Sequence, residues 1–423
     1  MLTISPFSQT VRGRGSPSVF RVPEALSSHA FQSIRRRMML NHCKWDSQIG
    51  DVCTLANFPL VLGESVWREL SHSAEQLASE TLAAEEELLQ RPELHRRLAI
   101  PSKIRRVLRR GEDLDPTPAA MRIMRFDFHP TTDGWQISEV NSDVPGGFTE
   151  SSSFTSIIAE HYSGTGITGN PADAWTEAML EWVGDGAVVA LLSAAGFMED
   201  QQIVTYLRKQ LETGGCRTVL ATPEQLRWRD GFATMNSARY QGPLAAIVRF
   251  YQAEWMARLP RRCGWFCFFC GGRTPVVNPG TAILTESKRL PLVWDDLTTP
   301  MSTWRSLLPE TRDPRDVAWK RDDCWLLKPA FCNTGDTVSH RSLLAEKAWS
   351  AICREVDWFP GQWAAQRRFD ILPINTPLGF VFPCIGVYTI NGRAAGAYGR
   401  IGRRPLIDFE AIDVAILVER DDC

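Results

Sequence analysis

The stretch "RFDFHPTTDGWQISEVN", Arg125 to Asn141, limits the fold more than any other part of the chain. Two runs of alternating apolar and polar residues flank a Pro/Thr/Asp/Gly turn, which predicts a β-hairpin. A pairing centred on Asp133 sets Asp127 opposite Glu139 and Arg125 opposite Asn141. Residues two apart on a strand share a face, and so do directly opposed residues. All four side chains then converge on one side of the sheet, and a one-residue slip would separate them. Two carboxylates and an amide oxygen are the hard ligands that Mg²⁺ takes alongside water and phosphate. Arg125 adds fixed positive charge and a planar fork suited to a phosphate oxygen. The same residues also suit an ordinary ion pair on an exposed sheet face.

The remaining sequence predicts an α/β protein. At roughly 150 residues per domain, 423 residues make two to three domains. Hydrophobic residues at 44% can fill a large core, and a net charge of -2 supplies no bulk attraction to nucleic acid or membrane. The N-terminus has no basic-then-apolar leader, so a cytoplasmic location is expected. Eleven scattered cysteines then read as reduced thiols. Residues 1–20 read as a loose arm and 21–180 as a helical region followed by the hairpin. Glu64 to Gln90 has the period of one long helix. Residues 181–275 read as a small open α/β subdomain: "GAVVALLS", "CRTVLA" and "LAAIVRFY" are strands around a helical "MEDQQIVTYLRKQLETGG". No G-x-G-x-x-G follows the first of these strands, so a dinucleotide site is not indicated there. Residues 276–423 alternate strands and helices again. Lys328 lies in the apolar strand "CWLLKPA", where an unpaired ammonium is costly, so an anionic partner is expected.

One further stretch raises a different chemistry. "RRCGWFCFFCGG" spaces Cys263, Cys267 and Cys270 as C-x3-C-x2-C, the spacing of radical-SAM iron–sulfur enzymes. It lies late in the chain and is almost wholly apolar. The expectation is therefore a core strand whose cysteines are buried small hydrophobes.

The hairpin motif resembles the R-x-D…E-x-N metal motif of the glutathionylspermidine synthase-like family, circularly permuted ATP-grasp ligases. Further segments resemble that family in its own order: "AIVRFYQAEWM", "VVNPGTAILTESKRLPLVWDDL", "CWLLKPAFCNTGDTV" and "VYTINGRAAGAYGRI". The likeness runs from about Trp45 to about Glu410. It implies a permuted ATP-grasp fold with an inserted pre-ATP-grasp subdomain, and ATP and Mg²⁺ as cofactors. Asp127, Glu139 and Asn141 would hold the metal. Lys288 and Lys328 would contact the ATP phosphates under a loop of Asn333, Thr334 and Gly335, with Gln366 near the adenine. Arg125 and Arg400 would face the transferred phosphoryl group. The implied reaction joins an amino-acid or peptide carboxylate to an amine through an acyl phosphate, releasing ADP. Typical members carry Gly-Arg-x-Gly where this chain has Cys332-Asn333-Thr334-Gly335, and the stretch after the metal motif, "SDVPGGF", also departs. The resemblance thus points to an acid and amine other than glutathione and spermidine. The altered loop is also what a non-catalytic binding protein of the same fold would show.

Overall fold

The hairpin forms as strands Ile123–Thr131 and Gly134–Asn141. The computed structural model describes residues 19–46, 48–49, 52–110, 114–184, 186–331, 338–408 and 410–420. The turn sits half a residue earlier than a pairing centred on Asp133: Thr131 pairs with Gly134, leaving Thr132 and Asp133 as the loop. From that turn an unbroken ladder would place Ser138 opposite Asp127. Instead the register shifts between Asp127 and Phe128, and Ser138 is the extra residue of a β-bulge. Beyond it Asp127 pairs with Glu139 and Arg125 with Asn141, as expected. Without the bulge Glu139 and Asn141 would turn to the face of Phe126 and Val140.

The hairpin is one edge of an antiparallel sheet. Its order is Ile412–Val414, Arg393–Gly402, Gly379–Ile390, Ile123–Thr131, Gly134–Asn141. One face is apolar. Met124, Phe126, Phe128, Ile137 and Val140 pack with Leu70, Leu77 and Leu88 of the helix Glu64–Leu89. Each buried Phe or Leu contributes about 1.5–3 kcal/mol, so this contact fixes which way the polar face points. The predicted long helix is present, with Leu70, Ala74, Leu77, Ala78, Thr81, Ala84 and Leu88 making its buried stripe.

The α/β region is a parallel sheet in the order Val276–Val277, Ala246–Phe250, Val188–Ser193, Arg217–Ala221. The helix Met198–Thr213 makes the crossover between its first two strands in sequence. The Lys-Pro strand Trp325–Pro329 lies in a third sheet beside Trp363–Arg367. Residues 1–18 of the expected arm lie outside the described residues, and Phe20–Arg21 is a strand paired with Leu60–Leu62.

The cysteine stretch is not a strand. It forms two 3-10 helices, Arg261–Cys263 and Trp265–Phe268, split by Gly264 at φ +66. A Cβ on Gly264 would meet Trp228 at 2.5 Å, so side-chain packing and backbone hand both require glycine there. The burial expectation holds, because Cys263, Cys267 and Cys270 are buried free thiols. Burial pushes the Cys267 thiol up to about 12, against the thiolate that an iron–sulfur cluster needs.

Candidate functional site

Asp127 is the centre of the polar face and is 1% exposed. Arg125 donates from Nε to its Oδ1 at 2.8 Å and from one terminal nitrogen to Oδ2 at 3.1 Å. Arg400, two strands away, donates to Oδ2 at 2.7 Å, and the Asn141 amide donates to it at 3.2 Å. Burial opposes a charge on Asp127, but Arg125 and Arg400 hold its carboxyl well below the usual carboxylate range. The sheet makes room through glycine: Gly386 pairs with Asp127, and a Cβ there would lie 2.7 Å from Arg125 and 2.9 Å from Asp127. Tyr398 lies under both guanidinium groups, with its ring centroid 5.2 Å from Arg125 and 5.3 Å from Arg400. Gly147 at φ +93 lets the "SDVPGGF" loop close over that ring. The loop's Gly146 carbonyl accepts from Arg125 at 2.7 Å and from the Tyr388 hydroxyl. His129, next on the same face, donates from Nδ1 to the Pro383 carbonyl at 3.2 Å. Burial pushes its pKa down to about 4, so it stays neutral.

Glu139 is the more open carboxylate, its side chain 22% exposed. Lys288 lies 3.5 Å from it and 3.0 Å from Glu286. The Lys328 ammonium donates to the Ser138 carbonyl of the bulge at 2.8 Å. Burial would raise the pKa of Glu139, and Lys288 and Lys328 together lower it. The anionic partner expected for Lys328 is thus close, across the bulge. Lys288, Lys328, Glu139 and Gln366 line one cavity of 30 Å³ with Pro291, Trp304 and Leu308. The Gln366 amide donates to Thr311 Oγ1 at 3.1 Å. Asn333, Thr334 and Gly335 lie outside the described residues. Of the residues picked from sequence and described, all are therefore within this sheet face or the corner beside it.

A larger cleft of 700 Å³ opens from Arg125, Asn141 and Arg400. Sequence reasoning missed most of its wall. Lys44 reaches in from the segment after the helix Ser28–Asn41, and its Nζ lies 3.0 Å from Asp46, 2.5 Å from Glu150 and 3.2 Å from Asp413. Burial opposes its charge, yet Glu150, Asp413 and Asp46 raise its pKa well above the ordinary lysine value. Asp413 also accepts from the Tyr398 hydroxyl at 2.6 Å. Glu199, Asp200, Gln252 and Glu254 form another part of the wall. Asp413 had a signal, a lone carboxylate in the apolar run "AIDVAILV"; Lys44 had none.

The family described as "Glutathionylspermidine synthase preATP-grasp" matches residues 60–415. The chain belongs to that family. No curated protein matches it. Among solved structures it is similar to a glutathione synthetase-like effector, GSS30, from Globodera pallida in its apo form. That likeness has a TM-score of 0.62 at 12% identity and covers 92% of this chain and 95% of the other, so it shows a shared fold. A putative gamma-glutamylcysteine synthetase from Methylobacillus flagellatus follows at a TM-score of 0.43 and 10% identity, covering 79% and 88%. As a member of this family the chain is related to ATP-grasp ligases, and its mixed α/β architecture agrees. Among the described residues no helix is long and apolar enough to cross a membrane.

Proposed function

We propose that this chain is an ATP- and Mg²⁺-dependent carboxylate–amine ligase that forms an amide through an acyl phosphate. One observation carries the reading. Asp127, Glu139 and Asn141 share a sheet face on which Arg125, Arg400, Lys288 and Lys328 also converge. Four cations against the three carboxylates Asp127, Glu139 and Glu286 leave an excess of positive charge, which suits a polyphosphate. Among the described residues no group of three or more His, Cys, Asp or Glu could hold a metal by itself. Mg²⁺ takes one or two carboxylates and completes its shell with water and phosphate. Glu139, partly open, and Asp127 with Asn141 are the donors on offer. Mg²⁺, when bound, supplies positive charge to the phosphate oxygens.

On this reading Lys288 and Lys328 hold the phosphates, Gln366 and its cavity face the adenine, and Asn333, Thr334 and Gly335 cover the chain of phosphates. Arg125 keeps Asp127 in place, and Arg400 exchanges Asp127 for the transferred phosphoryl group. The acid's carboxylate takes the γ-phosphoryl of ATP, giving an acyl phosphate and ADP. The amine then attacks the acyl carbon, inorganic phosphate leaves, and the nitrogen loses its extra proton to water. Positioning and charge carry these steps, so no nucleophilic side chain is required. The acidic cleft beside Arg125 and Arg400 is where the amine belongs. We also infer a circularly permuted ATP-grasp: the hairpin precedes the Lys-Pro strand in sequence, while strands from the C-terminal end, Gly379–Ile390 and Arg393–Gly402, complete its sheet. A cytoplasmic, small-molecule enzyme is the setting such chemistry implies.

The test is ADP release with Mg²⁺ and ATP over a panel of amino acids, short peptides and amines, with products identified by mass spectrometry. Acid- and amine-dependent ADP release together with an amide product supports the reading. ATP binding without ADP release under any pair sinks it in favour of a binding protein.

A further inference from the structure

The carboxylates of the 700 Å³ cleft fall into two sets. Asp46, Glu150 and Asp413 already share the ammonium of Lys44, whose side chain is 7% exposed. Glu199, Asp200 and Glu254 line the same cleft, and among the described residues no lysine, arginine or histidine stands within ion-pair distance of them. Acceptor atoms here lack donors. Asp200 Oδ2 and the Gln252 amide oxygen are buried without a hydrogen-bond partner, and Gln252 is only 7% exposed. A buried acceptor left unpaired costs about 1–3 kcal/mol, so such atoms mark a place where a ligand donates. Burial and then Glu199 push Asp200 up to about 7, and burial and then Asp143 push Glu254 up to about 8. A bound cation would let both ionise. Beside them the rings of Phe197 and Trp255 lie 5.1 Å apart, and Phe197 and Met198 are 51% and 56% exposed. Large apolar groups left open on a cleft wall suit an apolar ligand surface.

We propose that the amine substrate is a monocation with an apolar body. Its ammonium sits among Glu199, Asp200, Glu254 and Gln252, and its apolar part lies on Phe197, Met198 and Trp255. Lys44 supplies, from within the chain, the second ammonium that a diamine would otherwise bring. Lys44 already occupies the carboxylate set of Asp46, Glu150 and Asp413, so a diamine's far ammonium finds that place filled, and the lysine disfavours polyamines by filling it. The proposal rests on the ligase reading only in calling the ligand a substrate.

Titration calorimetry on the full chain with phenethylamine and with putrescine tests it. The wild type is expected to bind phenethylamine about tenfold or more tightly than putrescine. Phe197→Ala should weaken phenethylamine about tenfold and leave putrescine unchanged, and Lys44→Ala should turn the preference toward putrescine. Equal or tighter putrescine binding by the wild type, no binding of either amine, or an unchanged preference in Lys44→Ala overturns the proposal. Where Lys44→Ala does not fold, Phe197→Ala and Gln252→Leu decide: phenethylamine affinity unchanged in both also overturns it. Because calorimetry reads no turnover, phenethylamine binding with no ADP release under any acid–amine pair defeats the ligase reading and leaves this subsite standing. ADP release confined to polyamines does the reverse.

Discussion

The corner at Lys288 and Lys328 and the cleft at Glu199 and Glu254 adjoin the same sheet face and have opposite charge balance. At the corner and the adjoining face, burial is overridden by cations, and Asp127 and Glu139 are held ionised. In the cleft, burial is reinforced by like charge, and Asp200 and Glu254 are held toward the neutral acid. The contrast teaches that burial alone does not set a carboxylate's state; its partner does. On the proposed reading, phosphate would meet the one region and ammonium the other.

Glu139→Gln is the sharpest way to break the corner. It keeps shape and removes a charge, and ADP release should fall by about a hundredfold or more in a coupled assay. Near-full activity would remove Glu139 from the metal role. Asp127→Ala is a poorer probe, because Arg125 would remain buried without its partner.

Lys288→Met should cost stability by about 3–5 kcal/mol in denaturant unfolding, since Glu286 and Glu139 would lose the cation that lies between them. A loss of only a few tenths would mean that Lys288 serves the ligand and not the fold.

Gly386→Ala should cost about 1–3 kcal/mol, because its Cβ must push Arg125 or Asp127 aside. It should also lower activity, and unchanged activity would show that the Arg125–Asp127 pair can move freely.

The smallest effect is the most direct reading of the contrast. Asp127 and Glu139 have lowered folded pKa values, so their contribution to stability is present above the ordinary carboxylate range and is lost as pH falls below that range through their lowered folded values. Glu254, raised to about 8, acts in the other sense: from its ordinary value near 4.5 up to about 8 the unfolded chain ionises first, and stability falls as pH rises. Glu254→Gln should therefore melt higher relative to the wild type at pH 8 than at pH 5. A melting difference independent of pH would mean that Glu254 is ionised in the fold throughout.

Much of the corner could be read from sequence because its information is local. Alternation places Arg125 with Asp127 and Glu139 with Asn141, and an apolar strand marks Lys328 as a cation needing an anion. The pairing came out as read for a reason that alternation does not contain: the turn is offset by half a residue and the Ser138 bulge corrects it. The cysteine stretch went the other way. Its apolar run gave burial correctly, while the backbone forms two 3-10 helices split by the left-handed Gly264.

Most of the cleft wall could not be read from local pattern. Lys44 meets Asp413 across 369 positions, and neither lies in a motif that names the other. What the sequence alone determined is the chemistry carried by short-range periodicity: which residues share the hairpin face, which helix is buried, and which segments follow one another in family order. What only the tertiary structure decided is which charges meet. A charge's environment is set by neighbours in space, and the strand and loop packing that brings Lys44, Glu150 and Asp413 together is not encoded in the spacing of any one segment.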